Sequence, residues 1–336
     1  MNITTLGIDL AKSVFQLHGI DADGSVILRK KVRRSKLLSV LTGMSPCLIG
    51  MEACATGHYW AREIAALGHE VRLIPPAYVK PYVKRQKNDM ADAEAICEAV
   101  TRPNMHFVAI KSEDQQAVLM LHRARDLLVR QRTMLINALR AHLAEFGLVA
   151  AQGPRKIRDM LIDLEDGHLD VPEVGRNALL SLVRQIDALE EEIDQLHRQI
   201  KAWHRASEVS QRLATIPGVG VLTATALAAT VADPAQFRSA RQFAAWLGLV
   251  PRQNSSGGKD RLGRITKMGD GYLRKLLVVG ATAVLRRIRN AQTHTANWVR
   301  RLLEKKPSRL VSVALANKTA RIVWAVMSKQ GVYKPA

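Results

Sequence analysis

Long apolar runs are missing from this chain of 336 residues. The longest candidate, Leu276 to Leu285, is too short to span a bilayer and runs at once into Arg286 and Arg287. No membrane partner is therefore expected. The opening residues, MNITTLGIDL, lack the basic-then-apolar order of a secretory leader, so none is expected there either. Cysteine is scarce. Cys47, Cys54 and Cys97 form no paired framework and no CxxC spacing, which disfavours disulfide scaffolds and cysteine zinc sites and fits free thiols in a reducing cytoplasm. Aromatic residues are 4% of the chain, so base stacking offers no independent pointer to single-stranded RNA.

Acidic residues are scarce in one region only. From Pro251 to Ala336 there are 19 Lys and Arg against 3 Asp and Glu, which places +16 of the net +20 in the last quarter. A charge that large and local points to a phosphate backbone as partner. Apolar segments such as Leu276 to Leu285 lie inside this stretch, so it is expected to fold and not to trail as a basic tail. With 47% hydrophobic residues the chain can bury a sizeable core, in more than one domain.

The first hundred residues alternate in a definite order. Leu6–Leu10, Val14–Gly19 and Val26–Lys31 predict three strands, the second and third joined by Asp21-Ala22-Asp23-Gly24, a good hairpin turn. A helix near Ser35–Leu41, a buried strand Cys47–Met51, a helix His58–Leu67, a strand Glu70–Ile74 and a helix starting near Asp89 follow. This is the order of an α/β ribonuclease-H-like domain. A long helix is expected from Gln115 to Phe146, then a loop containing Gly153-Pro154 and Gly167. Leu179, Leu182, Ile186, Leu189, Ile193, Leu196, Ile200 and Trp203 then alternate spacings of three and four, the pattern of a coiled coil. Two arrangements fit it: a hairpin with the preceding long helix, or an interface between protomers.

Beyond the coil, Ile216-Pro217-Gly218-Val219-Gly220 leads into the apolar helix Leu222–Val231, the pattern of a helix-hairpin-helix. Such a turn exposes backbone N–H groups that bind a phosphate without reading the base. The same glycines could also serve helix packing alone. The expected organisation is a ribonuclease-H-like domain over 1–110, long helices and coiled coil over 111–208, and a mostly helical basic domain over 209–336.

Four acids fall where such a sheet would gather them. Asp9 closes the first strand, Glu52 closes the buried strand, and Asp89 and Asp92 share one face at a helix start. Hard oxygen donors of this kind suit Mg²⁺ or Mn²⁺, and two such ions can stabilise the attacking and leaving oxygens of a phosphodiester. Each acid has an ordinary reading too: Asp89 as a helix cap, Asp92 beside the helix dipole, Asp9 in a turn. Glu52, at the end of a wholly apolar strand, is the hardest to explain that way.

The segments Gly7-Ile8-Asp9-Leu10-Ala11-Lys12, Met51-Glu52-Ala53-Cys54-Ala55-Thr56-Gly57 and Asn88-Asp89-Met90-Ala91-Asp92-Ala93 resemble the insertion-sequence transposases with an N-terminal RuvC-like DEDD domain. These are the one-ten and eleven-eleven groups, relatives of the Piv-type DNA invertases. The resemblance continues through Pro217-Gly218-Val219-Gly220, Arg241–Arg252 and Asn254–Lys259, and the wording of Gly258–Lys267 is closer to the eleven-eleven group.

That resemblance implies metal at Asp9, Glu52, Asp89 and Asp92, and a serine nucleophile that forms a covalent phosphoserine with DNA. The matching residue is Ser256, while members often carry an acid at the position of Ser255. Arg252, Lys259, Arg261 and Arg264 could stabilise phosphoryl charge, and Lys267 joins them and Pro217, Gly218 and Gly220 as expected nucleic-acid contacts. The resemblance further implies a metal site and serine acting together, across protomers of a dimer or tetramer, on double-stranded DNA at element ends and target, with a structured guide RNA. The expected function is a site-specific transposase or recombinase. Its rivals are a RuvC-like endonuclease with no covalent step, and a non-catalytic DNA-binding protein.

Overall fold

The computed structural model describes residues 2–84, 88–149, 154–288 and 292–335, with backbone alone for 154–158. The chain divides into two compact units. The first comprises Met1–Ser112 with Val231–Arg238, the second Glu113–Thr230 with Ser239–Ala336.

In the first unit a five-stranded sheet is built from β1 (Thr5–Leu10), β2 (Val14–Ile20), β3 (Val26–Arg33), β4 (Leu48–Glu52) and β5 (Glu70–Ile74), in the order β3-β2-β1-β4-β5. The β1–β2 and β2–β3 pairs are antiparallel, and the β1–β4 and β4–β5 pairs are parallel. At the β2–β3 turn the Asp21 carboxylate accepts the amides of Asp23 and Ser25 at 3.1 and 2.8 Å, the side-chain turn expected of Asp there. The helices are α1 (Leu37–Thr42), α2 (Gly57–Ala66), α3 (Pro76–Val79) and α4 (Asp89–Val100). Each expected strand and helix of this region is present within about two residues of its expected ends, the usual scatter of such boundaries.

Strand alternation sorts the core into two layers. Leu6, Ile8, Phe15, Leu17, Ile49 and Met51 point to one face and pack on Leu37, Leu41, Trp60, Ala61 and Ile64 of α1 and α2. The opposite face is covered by α4, whose Ile96 and Val100 are fully buried. Gly7 and Gly50 make that approach close enough. A Cβ on Gly7 would lie 2.2 Å from the Ala93 carbonyl oxygen, and one on Gly50 would lie 2.8 Å from Cβ of Val100.

Among its described residues the second unit is helical, apart from one hairpin. Its elements are α5 (Glu113–Ala144), α6 (Pro154–Glu165), α7 (Glu173–Ala206), α8 (Glu208–Ala214), α9 (Val221–Thr230), α10 (Ala240–Trp246), β6 (Pro251–Gln253), β7 (Leu262–Ile265), α11 (Gly271–Arg287), α12 (His294–Leu303) and α13 (Ser308–Lys329). Where a loop was expected around Gly153-Pro154, Pro154 opens α6, since proline lacks only an amide that the first turn leaves unused. Gly153 lies outside the described residues.

α5 and α7 pack as a helical pair. Leu179, Ile186, Ile193 and Ile200, spaced by seven, are buried, and Arg132 of α5 pairs with Glu190 of α7 at 3.4 Å. The hairpin arrangement of the heptads is therefore present within the chain. The buried His122 of α5 ties this pair to the other helices, with Nε2 at 2.9 Å from Thr225 Oγ1 and Nδ1 at 3.0 Å from Tyr272 Oη. Thr225 gives its own proton to the Val221 carbonyl, so it accepts from Nε2–H, which leaves Nδ1 to accept from the tyrosine.

Among the described residues one helix, α13, is long and apolar enough to cross a membrane by length and composition. It escapes a search for uninterrupted apolar runs because Asn317, Lys318 and Arg321 break it. Val311, Leu315, Ala316, Ala320 and Val323 lie buried in the unit, the pattern of a core helix.

Candidate active site and nucleic-acid interface

The carboxylates of the first unit are placed by β-sheet register. Ile8 pairs with Met51 across the parallel β1–β4 ladder, so Asp9 and Glu52, one residue on, extend from neighbouring strands. Neighbouring strands lie about 4.8 Å apart. Alternation puts both acids on the face of Gly7 and Gly50, which is the face covered by α4. On α4, Asp89 and Asp92 begin the stripe that continues through Ala93, Ile96 and Cys97 towards the sheet. Asp9, Glu52 and Asp92 are half-buried and Asp89 is exposed.

The ordinary reading of Asp89 as helix cap gives way here. The N-cap is Asn88, whose side-chain oxygen accepts the Ala91 amide at 2.8 Å. Asp89 and Asp92 thus sit inside the first turn, where the helix dipole favours negative charge. Among the described residues, no group of three or more His, Cys, Asp or Glu side chains is gathered closely enough to hold a metal. The donor set itself fits a hard divalent cation. All four candidates are carboxylates, and the two glycines allow the helix carrying one pair to lie close on the strands carrying the other.

The predicted serine lies on the second unit, at a hairpin that sequence reasoning read only as a Gly-rich loop. β6 and β7 pair antiparallel, and Ser256 bridges to Lys259 across Gly257 and Gly258, with φ of 57° and 74°. Two positive φ angles between bridged residues make a primed hairpin turn, which glycine adopts without steric cost. Ser255, also exposed, is held by hydrogen bonds along the hairpin. It donates to Asp260 Oδ1 at 3.2 Å and accepts from Gln253 Nε2 at 3.1 Å and from the Arg261 amide at 3.2 Å. Among the described residues the Ser256 hydroxyl makes no side-chain hydrogen bond, and it is exposed at the turn.

Arg252, Lys259, Arg261, Arg264 and Lys267 are exposed on or beside this hairpin. The Arg252 guanidinium reaches the Thr266 carbonyl at 3.4 Å, and Lys267 holds a left-handed φ of 55°. The Pro217–Gly220 turn is a separate element, between α8 and α9. Gly218 (φ 85°) lies against α11, where a Cβ added to Gly280 would meet the Gly218 carbonyl oxygen at 1.9 Å. Packing explains Gly218. Pro217 and Gly220 are exposed, and a Cβ on Gly220 would meet nothing within 4 Å. The structural roles of Asn88, Asp260 and the paired Gly7 and Gly50 escaped the sequence reading. Of these, only Asn88 before an acidic first turn carries a local signal.

Burial sets the titration of the His122 group. Desolvation, with a smaller contribution from Arg125, lowers His122 to about 4, and burial raises Tyr272 to about 12.

Comparison with known proteins finds two family models. A transposase model of the DEDD type matches residues 6–147, and the model "Transposase IS116/IS110/IS902 family" matches residues 210–296. A Pseudomonas aeruginosa protein called "Probable family 20 transposase" is 48% identical over the whole of both chains. The transposase for insertion sequence element IS1328 of Yersinia enterocolitica is 43% identical, over 99% of each chain. The transposase for insertion sequence element IS1111A of Coxiella burnetii is 41% identical, over 99% of this chain and 92% of its own.

Proposed function

The chain belongs to the IS110/IS116/IS902 family of insertion-sequence transposases, and on that footing we propose that it cuts and rejoins DNA through Ser256, assisted by divalent metal at Asp9, Glu52, Asp89 and Asp92. The observation that carries this reading is the contrast at the hairpin. Both serines are exposed, but Ser255 is tied by three hydrogen bonds, while the Ser256 hydroxyl makes no side-chain hydrogen bond among the described residues and stands at the turn beside several cations. The strand order β3-β2-β1-β4-β5 supports the ribonuclease-H-like reading of the first unit.

In the proposed reaction the Ser256 oxygen attacks a DNA phosphorus and loses its proton. A phosphorus–oxygen bond to one strand breaks, and that oxygen leaves as a hydroxyl after taking up a proton. The phosphoserine conserves the bond energy until a hydroxyl of the incoming strand attacks and regenerates serine. Arg252, Lys259, Arg261 and Arg264 offset the charge that builds on the phosphoryl oxygens. Bound metal would supply Lewis-acid polarisation of the same phosphodiester.

The pairing of α5 with α7 leaves apolar surface over. Met120, Leu127 and Met134, spaced by seven on α5, are 69, 48 and 70% exposed. A groove of about 440 Å³ lies at the Met134 end of this row, lined by Met134, Leu135, Ala188 and Leu189 together with Gln131, Gln185 and Glu192. This favours a second copy of the chain as occupant, in a dimer or a tetramer built from dimers. The identity to the IS1111A transposase supports placement in the eleven-eleven group. From that family likeness the reading includes double-stranded DNA at the element ends and a guide RNA.

The test is recombination of a plasmid carrying both element ends. Ser256→Ala and Asp9→Asn are each expected to abolish product while leaving DNA binding intact. Normal recombination by Ser256→Ala with loss in Asp9→Asn would instead establish a metal-dependent route without the serine.

A further inference from the structure

The first unit carries a second polar feature that the carboxylates do not use. A cleft of about 820 Å³, within the size range of small-ligand sites, opens among the β1–β2 turn, the end of β3 and the start of α2. Its lining includes Lys12, Ser13, Arg33, Arg34, Tyr59 and Trp60, and no carboxylate. These residues are far apart in sequence and meet only in the fold.

The floor is built and held. The Arg34 guanidinium lies 5.1 Å from the Trp60 ring centre and 5.6 Å from that of Phe15, and the Arg34 amide donates to the Ser13 carbonyl at 2.9 Å. An arginine pinned by two aromatic rings loses little freedom when it binds a phosphate. Trp60 is 5% exposed, and its Nε1–H has no acceptor among the described residues. Lys12 and Arg33 are exposed at the rim, and no carboxylate pairs with either among the described residues. The site thus has a surplus of donors and positive charge, and the chemistry it lacks is an anionic oxygen. Tyr59, edge-on to Trp60 at 5.1 Å and 42% exposed, presents an aromatic surface next to those cations.

Position gives the cleft its meaning. Lys12 follows Asp9 by three residues, so their Cα atoms are at most about 11 Å apart. Tyr59 follows Glu52 by seven residues, through the loop that leaves the C-terminal end of β4, so the cleft opens beside the same strand ends as the carboxylates but on the α1–α2 side of the sheet, across from the α4 side that Asp9 and Glu52 face. We propose that this cleft is a subsite for one nucleic-acid strand, holding a phosphate on Lys12, Arg33 and Arg34 and stacking the adjoining unpaired base on Tyr59. Its role is to seat the strand that runs on past the carboxylates, and that role rests on the proposed function; the binding does not. Duplex bases are already stacked and cannot pack on Tyr59, so the cleft selects single-stranded over double-stranded segments.

The experiment is photocrosslinking of the full chain, in chelator, to a short oligothymidine bearing one 5-iodouracil. The matching oligoribonucleotide and the DNA duplex are run beside it, and crosslinked peptides are mapped by mass spectrometry. The single strand is expected to crosslink at Tyr59 or Trp60, and the duplex there several-fold less. Lys12→Glu with Arg33→Glu should lower that crosslink roughly tenfold, and Tyr59→Ala should weaken it by about fivefold or more. The DNA and RNA arms identify which strand the cleft holds, and crosslinking of either supports the proposal. Crosslinks confined to the second unit, equal yields from duplex, or no response to the charge reversals would overturn it. Asp9→Asn should leave the crosslink unchanged. If that variant also recombines normally, the proposed function falls while the cleft stands.

Discussion

Ser255 donates its hydroxyl to Asp260 Oδ1 at 3.2 Å, across the base of the hairpin that presents Ser256. Asp260 brings a carboxylate to the neutral Ser255 from the opposite limb. This pairing makes Ser255 a brace. Ser255→Ala should loosen the hairpin at a cost of about 0.5–1.5 kcal/mol. Recombination should stay within roughly tenfold of the parent chain, because hardly more than that energy is lost from positioning. A plasmid recombination assay measures it, and complete inactivity would mean that Ser255 does more than brace.

The two glycines of the α8–α9 turn should separate by function. Gly218 carries φ of 85° and lies against α11, so Gly218→Ala is expected to destabilise the chain by about 1–3 kcal/mol. Gly220 faces open space, so Gly220→Ala should leave the melting temperature unchanged. If the turn holds a phosphate, that same change should weaken duplex binding several-fold by blocking backbone approach. Thermal melts and fluorescence anisotropy on the two variants distinguish packing from contact. Unaltered DNA binding in Gly220→Ala would leave the turn with packing alone.

Acid should weaken the second unit through His122. Its folded value is lowered from 6.5 to about 4, mainly by burial. Above about pH 6.5 the ring is neutral in both folded and unfolded chains, and no penalty arises. As pH falls from 6.5 to 4 the unfolded chain takes up a proton that the buried ring does not. Stability should therefore fall by about 3 kcal/mol across that window. His122→Gln is expected to lower stability at neutral pH and to flatten this part of the profile. Denaturant melts at several pH values read both, and an unchanged slope in the variant would remove His122 as its source.

Assembly should depend on the groove between α5 and α7. Met134 is 70% exposed, so Met134→Glu is tolerated by the isolated fold, yet it places a charge on the apolar stripe. Sedimentation velocity should show the parent chain as a dimer or larger and the variant shifted to monomer. Identical sedimentation of the two would move the interface elsewhere.

The sequence carried some of this directly and concealed the rest for physical reasons. β1, β2 and β4 announce themselves because each is apolar on the faces it buries, and α7 does so through its heptads. β6 and β7 are almost wholly exposed and show no apolar alternation, so only tandem Gly257-Gly258 between bridged residues marks that hairpin. The acids were legible as types and positions, since Asp9 and Glu52 end predicted strands. What lets α4 lie close on them, the missing Cβ atoms of Gly7 and Gly50, is a property of tertiary packing. The Lys12–Arg34–Trp60 cleft is likewise invisible until the chain folds.

The most direct measurement is the chemical identity of the protein–DNA adduct. Cleavage after Arg252 and Lys259 with trypsin releases the peptide Gln253–Lys259, which holds both serines. The chain is incubated with an element-end DNA and divalent metal, denatured, and digested with nuclease and trypsin, and the peptide is fragmented in a mass spectrometer. The account predicts a phosphoryl or nucleotidyl group on Ser256 and none on Ser255. Recombinant product accumulating with that peptide unmodified, or modified at Ser255, would contradict it.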